Sequence, residues 1–100
     1  MSNSNIQTVT KTADARAIAG RTRVAGLYYT CSGTASSFSL KNGSTSAGTA
    51  LMTIITPAAA GAYDIILPDM GVLFPDVVFV DVNDAQVTSV TLMFYGGAAA

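Results

Sequence analysis

Nowhere in this chain do large apolar residues recur at helical spacing. Instead, β-branched and aromatic residues come in short runs cut by glycine, proline, asparagine and aspartate. A core-facing helix needs apolar side chains at i, i+3, i+4 and i+7, whereas a half-buried strand needs alternation. The stretch Ser37-Phe38-Ser39-Leu40-Lys41 alternates cleanly, and Val77-Val78-Phe79-Val80-Asp81-Val82 is β-prone throughout. Seven or eight such runs, each of about five to ten residues and bounded by turn signals, predict a single-domain, all-β, antiparallel β-sandwich or jelly roll.

The first twenty residues look different. Ile6, Val9 and Ile18 are their only strong core candidates, so residues 1–20 are expected to form an extended N-terminal arm. Within it, Thr8 to Lys11 suits a short strand, and Asp14 to Ala19 suits one helical turn capped by Asp14. A sandwich domain is expected over 21–97. Arg21 to Thr30 begins it, and Gly26 inside that run marks a bulge or a close backbone contact. Asn42-Gly43 offers a tight turn. Thr49 to Thr56 is almost continuously apolar and reads as a strand covered on both faces. In Pro68-Asp69-Met70-Gly71 the proline suits the second position of a turn. Residues 98–100 read as a flexible small-residue tail. The predicted core is Leu27, Phe38, Leu40, Leu51, Ile54, Ile65, Leu67, Val72, Phe74, Val78, Val80, Val90, Leu92 and Phe94.

Half of the residues are apolar and only 11% are charged, against about a quarter charged in an ordinary globular domain. A surface so poor in charge is expected to be covered in part by another subunit. No run reaches the roughly 18 to 20 apolar residues of a membrane-crossing helix, and Met1 to Asn5 is polar, unlike a secretory signal. Cys31 is the one cysteine, so no intrachain disulfide forms. Charge is split along the chain. Lys11, Arg16, Arg21, Arg23 and Lys41 precede all the acids except Asp14. Either strands of the two halves pair and balance locally, or a basic N-terminal segment reaches a neighbour's acidic face. Five cations diluted by six aspartates make no nucleic-acid footprint.

The residue inventory argues against an enzyme. There is no histidine and no glutamate, so the usual acid–base partners are missing. A serine–lysine arrangement would have to use Lys11 or Lys41, and neither stands in a recognisable motif. Cys31 reads as small buried filler. Asp81, Asn83 and Asp84 cluster as calcium ligands do, but these residues also form ordinary turns, and no metal or cofactor is expected. Arg21 and Arg23 with Tyr28 and Tyr29 suggest an aromatic–cationic patch. Adjacent strand residues face opposite ways, so one of the tyrosines belongs to the core or an interface.

The order of features from Arg21 onward is distinctive: Arg23-Val24-Ala25-Gly26-Leu27-Tyr28-Tyr29, Ser37-Phe38-Ser39-Leu40-Lys41-Asn42-Gly43, Leu51-Met52-Thr53-Ile54-Ile55-Thr56-Pro57, Tyr63-Asp64-Ile65-Ile66-Leu67-Pro68, Gly71-Val72-Leu73-Phe74 and the closing Val90-Thr91-Leu92-Met93-Phe94-Tyr95-Gly96-Gly97. Over residues 21–97 this resembles the small β-rich virion proteins of tailed phages, particularly marine and cyanobacterial ones. The resemblance implies a capsid decoration, or cement, protein on the particle surface, assembled in the host cytoplasm. Such a protein is expected to form a homo-oligomer, trimer or dimer, and to clamp the major capsid protein. In that setting Gln7, Thr8, Val9, Thr10 and Lys11 would add a strand to a capsid sheet edge, and Arg16, Arg21 and Arg23 would fix its register. Other virion positions (head-fibre base, neck or tail) and a receptor- or glycan-binding module are the alternatives.

Overall fold

The computed structural model describes residues 6–68, 71–82 and 86–100. It is all-β, with no helix among the described residues. The strands are β1 (Gln7–Lys11), β2 (Ala15–Cys31), β3 (Ser36–Asn42), β4 (Thr49–Thr56), β5 (Gly61–Ile66), β6 (Val72–Phe74), β7 (Val77–Val82) and β8 (Val87–Ala99). Every pairing is antiparallel, and the main path runs β1-β8-β2-β7-β3-β4.

Seventeen residues of straight strand would extend about 55 Å, yet the longest dimension of the molecule is 42 Å. β2 must therefore bend. Its ladders shift register at Arg16/Ile18, Ala19/Thr22, Val24/Gly26 and Thr30/Cys31, and such bulges add curvature. Gly26 is thus both the bulge and the close contact that the sequence predicts. A Cβ there would lie 2.9 Å from Met93 Cε and 3.1 Å from the Ile65 carbonyl oxygen. β8 follows one edge of β2 from Ile18 to Cys31. The other edge is shared in turn by β7 (Ala15–Ala19), β6 (Thr22–Val24) and β5 (Gly26–Cys31).

The bend folds the sheet over on itself. Phe38 of β3 meets Tyr29 of β2 edge to face, with ring centroids 5.2 Å apart, although no ladder joins these strands. Tyr63 of β5 stacks on the same tyrosine at 5.5 Å. Around them Leu27, Leu40, Phe74, Val78, Val80, Val90, Leu92 and Phe94 are fully buried, and Cys31 is buried among them. Removing these side chains from water is the main driving force of the fold.

Several expectations are corrected. All eight strands belong to one continuous antiparallel sheet. The supposed arm is part of that sheet from Gln7 onward, because β1 pairs with β8 and Ala17 and Ile18 are fully buried. Residues 1–5 of the arm lie outside the described residues. Asp14 caps no helix. Its carboxylate accepts the Val82 backbone N–H at 2.7 Å, and β2 begins at the next residue. β4 is an edge strand with Leu51 and Ile55 exposed. Ile54, Ile65, Leu67 and Val72 pack against the core from half-buried positions. Pro68 takes the first position of its turn, since its carbonyl accepts the Gly71 N–H at 2.9 Å.

The tail is a strand. Ala98 and Ala99 pair with Ala19 and Ile18, and the Ala100 N–H reaches the Ala17 carbonyl at 2.9 Å. Small side chains carry no packing signature, but here they are a steric requirement. Gly97 has φ +59, and a Cβ on it would fall 2.7 Å from Ile18 Cγ2 and 2.9 Å from the Ala19 carbonyl oxygen. Gly97→Ala should therefore destabilise the fold by about 2 to 4 kcal/mol in urea unfolding, where a free tail would give no change.

Burial pushes the Tyr29 hydroxyl above its ordinary value of 10.0, with Cys31 and Tyr63 adding to the effect. The folded chain holds this proton at a pH where the unfolded chain has released it. Stability is therefore complete below the unfolded value and is lost as pH rises through it toward the folded one. In thermal scans from about pH 8 to about pH 11, the midpoint should fall above pH 10. Tyr29→Phe should flatten that fall.

Candidate functional site

Across β1, β8, β2 and β5 the register sets side chains in rows, alternately inside and outside. The inner rows are Val9–Leu92–Leu27–Ile65 and Lys11–Val90–Tyr29–Tyr63. The outer rows are Thr8–Met93–Gly26–Ile66 and Thr10–Thr91–Tyr28–Asp64, followed by Tyr95–Arg23–Leu73 toward β6. An exposed sheet face ordinarily carries polar residues. This one carries Met93, Tyr95 and Ile66, and Ile66 is 70% exposed.

Gly26 shapes the face. Because it has no side chain, the Met93 methyl and Ile66 Cδ1 close over it, the latter 3.5 Å from where a Cβ would stand. Beside it lies an apolar cleft of about 290 Å³ lined by Ile6, Ala25, Ile66, Leu67, Met93 and Tyr95. A second hollow of about 220 Å³ adjoins it, lined by Arg21, Thr22, Arg23, Leu73, Tyr95 and Gly96. Tyr95 is the common wall. Tyr95 thus borders both the apolar cleft and the hollow beside Arg21 and Arg23.

The predicted interface residues are only partly brought together. Arg21 and Arg23 share the second hollow, and among the described residues neither makes an ion pair or side-chain hydrogen bond. Thr8 and Thr10 lie on the rim of the same outer face, with Thr10 hydrogen-bonded to Thr91 at 2.7 Å. Val9 turns inward against the core. Gln7 is exposed opposite Phe94, and the Lys11 ammonium donates to the Ala100 carbonyl at 2.9 Å. Arg16 stands apart, opposite Phe79 in the ladder to β7. The proposed aromatic partners of the arginines are also redistributed. Tyr29 is core, Tyr28 is 44% exposed two rows away, and the aromatic beside Arg23 is Tyr95.

The remaining charges are used structurally. Lys41 pairs with Asp81 at 2.5 Å and also donates to the Ser46 carbonyl at 2.8 Å. The pair ties β3 to β7, and joins a cation from the first half of the chain to an acid from the second. Asn42 Oδ1 accepts the Asp76 N–H at 2.9 Å, holding the β6–β7 turn against the end of β3. Of the calcium-type cluster, Asp81 is engaged by Lys41, while Asn83 and Asp84 lie outside the described residues. Among the described residues no three His, Cys, Asp or Glu side chains gather as a metal site. No described helix is long and apolar enough to cross a membrane.

The face therefore suits recognition. Its apolar cleft can take an aliphatic or aromatic side chain, and the adjoining guanidinium groups can receive a carboxylate. Comparison with protein-family models, with curated proteins and with solved structures finds no match to this chain.

Met93, Tyr95, Ile66 and Leu73 were not anticipated as site residues. The signal for them is Leu92-Met93-Phe94-Tyr95, which is apolar at both parities of one strand although only one parity is needed for the core. Ile66→Asp, at a 70% exposed position, should change unfolding free energy by no more than about 0.5 kcal/mol. It should also lower binding of a hydrophobic dye such as ANS by about twofold or more.

Proposed function

We propose that this chain is a non-enzymatic virion structural protein, a capsid decoration protein that clamps neighbouring major capsid subunits on the particle surface. The observation that carries this reading is the outer face of the β1-β8-β2-β5 region, where the apolar cleft at Ile66, Met93 and Tyr95 adjoins Arg21 and Arg23. A free monomer gains nothing from such a face, whereas a partner segment bearing an apolar side chain beside a carboxylate buries it.

The folded-over sheet serves as the two layers of a sandwich, a reading supported by the Tyr29–Phe38 contact. Its low charge favours close packing against other subunits, and repetition over a shell multiplies a weak individual contact. The protein assembles in the host cytoplasm, works as a homo-oligomer, and has the major capsid protein as its partner. It needs no cofactor and does not engage nucleic acid or membrane.

Quantitative mass spectrometry of purified particles tests the reading. Hundreds of copies per particle are expected, and absence from the particle overturns it. About a dozen copies would transfer the protein to a neck or tail position, and specific binding on a glycan array would favour a receptor-binding module. The double variant Arg21→Glu/Arg23→Glu should reduce copy number severalfold while leaving the thermal midpoint nearly unchanged, because both side chains lack partners among the described residues.

A further inference from the structure

The sheet ends at β4, whose outer edge no described strand covers. Exposed edges are usually blunted by charge, proline, bulges or shortness. The other uncovered edges follow that rule: β1 is five residues long and carries Lys11, β5 carries Asp64, and β6 is three residues long and followed by Pro75. β4 does so only by the bulge at Leu51. Thr49–Thr56 spans eight residues without a charge or a proline, and Ile55 is 79% and Leu51 41% exposed.

The sequence of β4 is also complementary to itself. Over the regular stretch from Met52 to Thr56, two antiparallel copies that keep their inner faces on one side must pair residues of equal parity, because a slip of one residue reverses the faces. Centring the pair on Thr53 sets Met52 opposite Ile54 twice across a two-fold axis, with the bulged Leu51 of each copy beside Ile55 of the other. A register centred on Ile54 leaves Ile55 opposite Thr53, and one centred on Met52 carries Ile55 past the regular stretch. Cross-strand apolar pairs are the unit of sheet stabilisation, so one register stands out. An isologous contact of this kind closes as a dimer.

We infer that two copies of this chain associate through antiparallel pairing of their β4 edges about a two-fold axis at Thr53, joining two eight-stranded sheets into one. This deepens the homo-oligomer part of the function proposed above and uses a different surface from its capsid-docking cleft. In such a dimer the two outer-face clefts stay open, one on each copy.

The test is made on the isolated 100-residue chain, so its result does not depend on particle binding. Light scattering after gel filtration at about 100 µM should give twice the 10.2 kDa chain mass. Ile55→Lys and Thr53→Lys, both at exposed positions, should each weaken association at least about tenfold, the latter by setting two ammonium groups directly opposite one another. Thr53→Asp should do the same by repulsion of carboxylates. An equimolar mixture of Thr53→Lys and Thr53→Asp should recover the dimer, since the facing charges then attract, and this recovery cannot arise from misfolding. A monomeric wild-type chain, a trimer, single variants that remain dimeric, or a mixture that fails to associate would each overturn the inference. Ile66→Asp should leave the dimer intact while reducing particle attachment, which separates failure here from failure of the capsid reading.

Discussion

β2 carries ladders along both of its edges: β5, β6, β7 and β8 pair with it directly, and β1, β3 and β4 join the sheet through β8 and β7. A seventeen-residue strand cannot stay straight within a 42 Å molecule, so the chain bends it through successive register shifts. Bending directs β7, and with it β3 and β4, across the face that β2, β8 and β5 present. That is how Phe38 reaches Tyr29 with no hydrogen bond between their strands. The core is closed by curvature of one sheet.

Glycine permits this curvature. Gly26 allows the bulge that turns the apolar parity of β2 inward again after Val24, and leaves the gap over which Met93 and Ile66 close. Gly97 lets the last residues of β8 run against Ile18 and Ala19. The same two features that shape the fold also shape its surface, since the cleft and the arginine-lined hollow lie beside these bulges. The proposed self-pairing edge lies at the opposite end of the sheet path, on β4. Two surfaces so placed can engage two partners without competing.

Charge is spent sparingly. Lys41 and Asp81 bind their strands together, in a pair about one-fifth exposed whose contribution to stability is about 1 kcal/mol or less. Asp14 serves as a backbone acceptor for Val82. Arg21 and Arg23 are left with no such task among the described residues, which is the reason they are read as recognition groups. One of the two anticipated resolutions of the charge split is visible in the fold: Lys41 is balanced locally by Asp81.

The sequence by itself determined the strand content, the Gly26 bulge and most of the buried set, from Leu27 and Phe38 to Leu92 and Phe94, because alternation and turn residues are local and a β-branched run has few other choices. It also determined that Tyr28 and Tyr29 face opposite ways. Only the tertiary structure decided the rest. Residues 7–20 and 98–100 look coreless in sequence, but their place in the sheet comes from backbone hydrogen bonds, which leave no mark on side-chain pattern. β4 looks buried on both faces in sequence, yet whether an apolar strand lies at the centre or the edge is a matter of strand order. The cleft was hidden for the same reason: Ile6, Ala25, Ile66 and Met93 lie far apart along the chain, and only the tertiary pairing of strands brings them to one face.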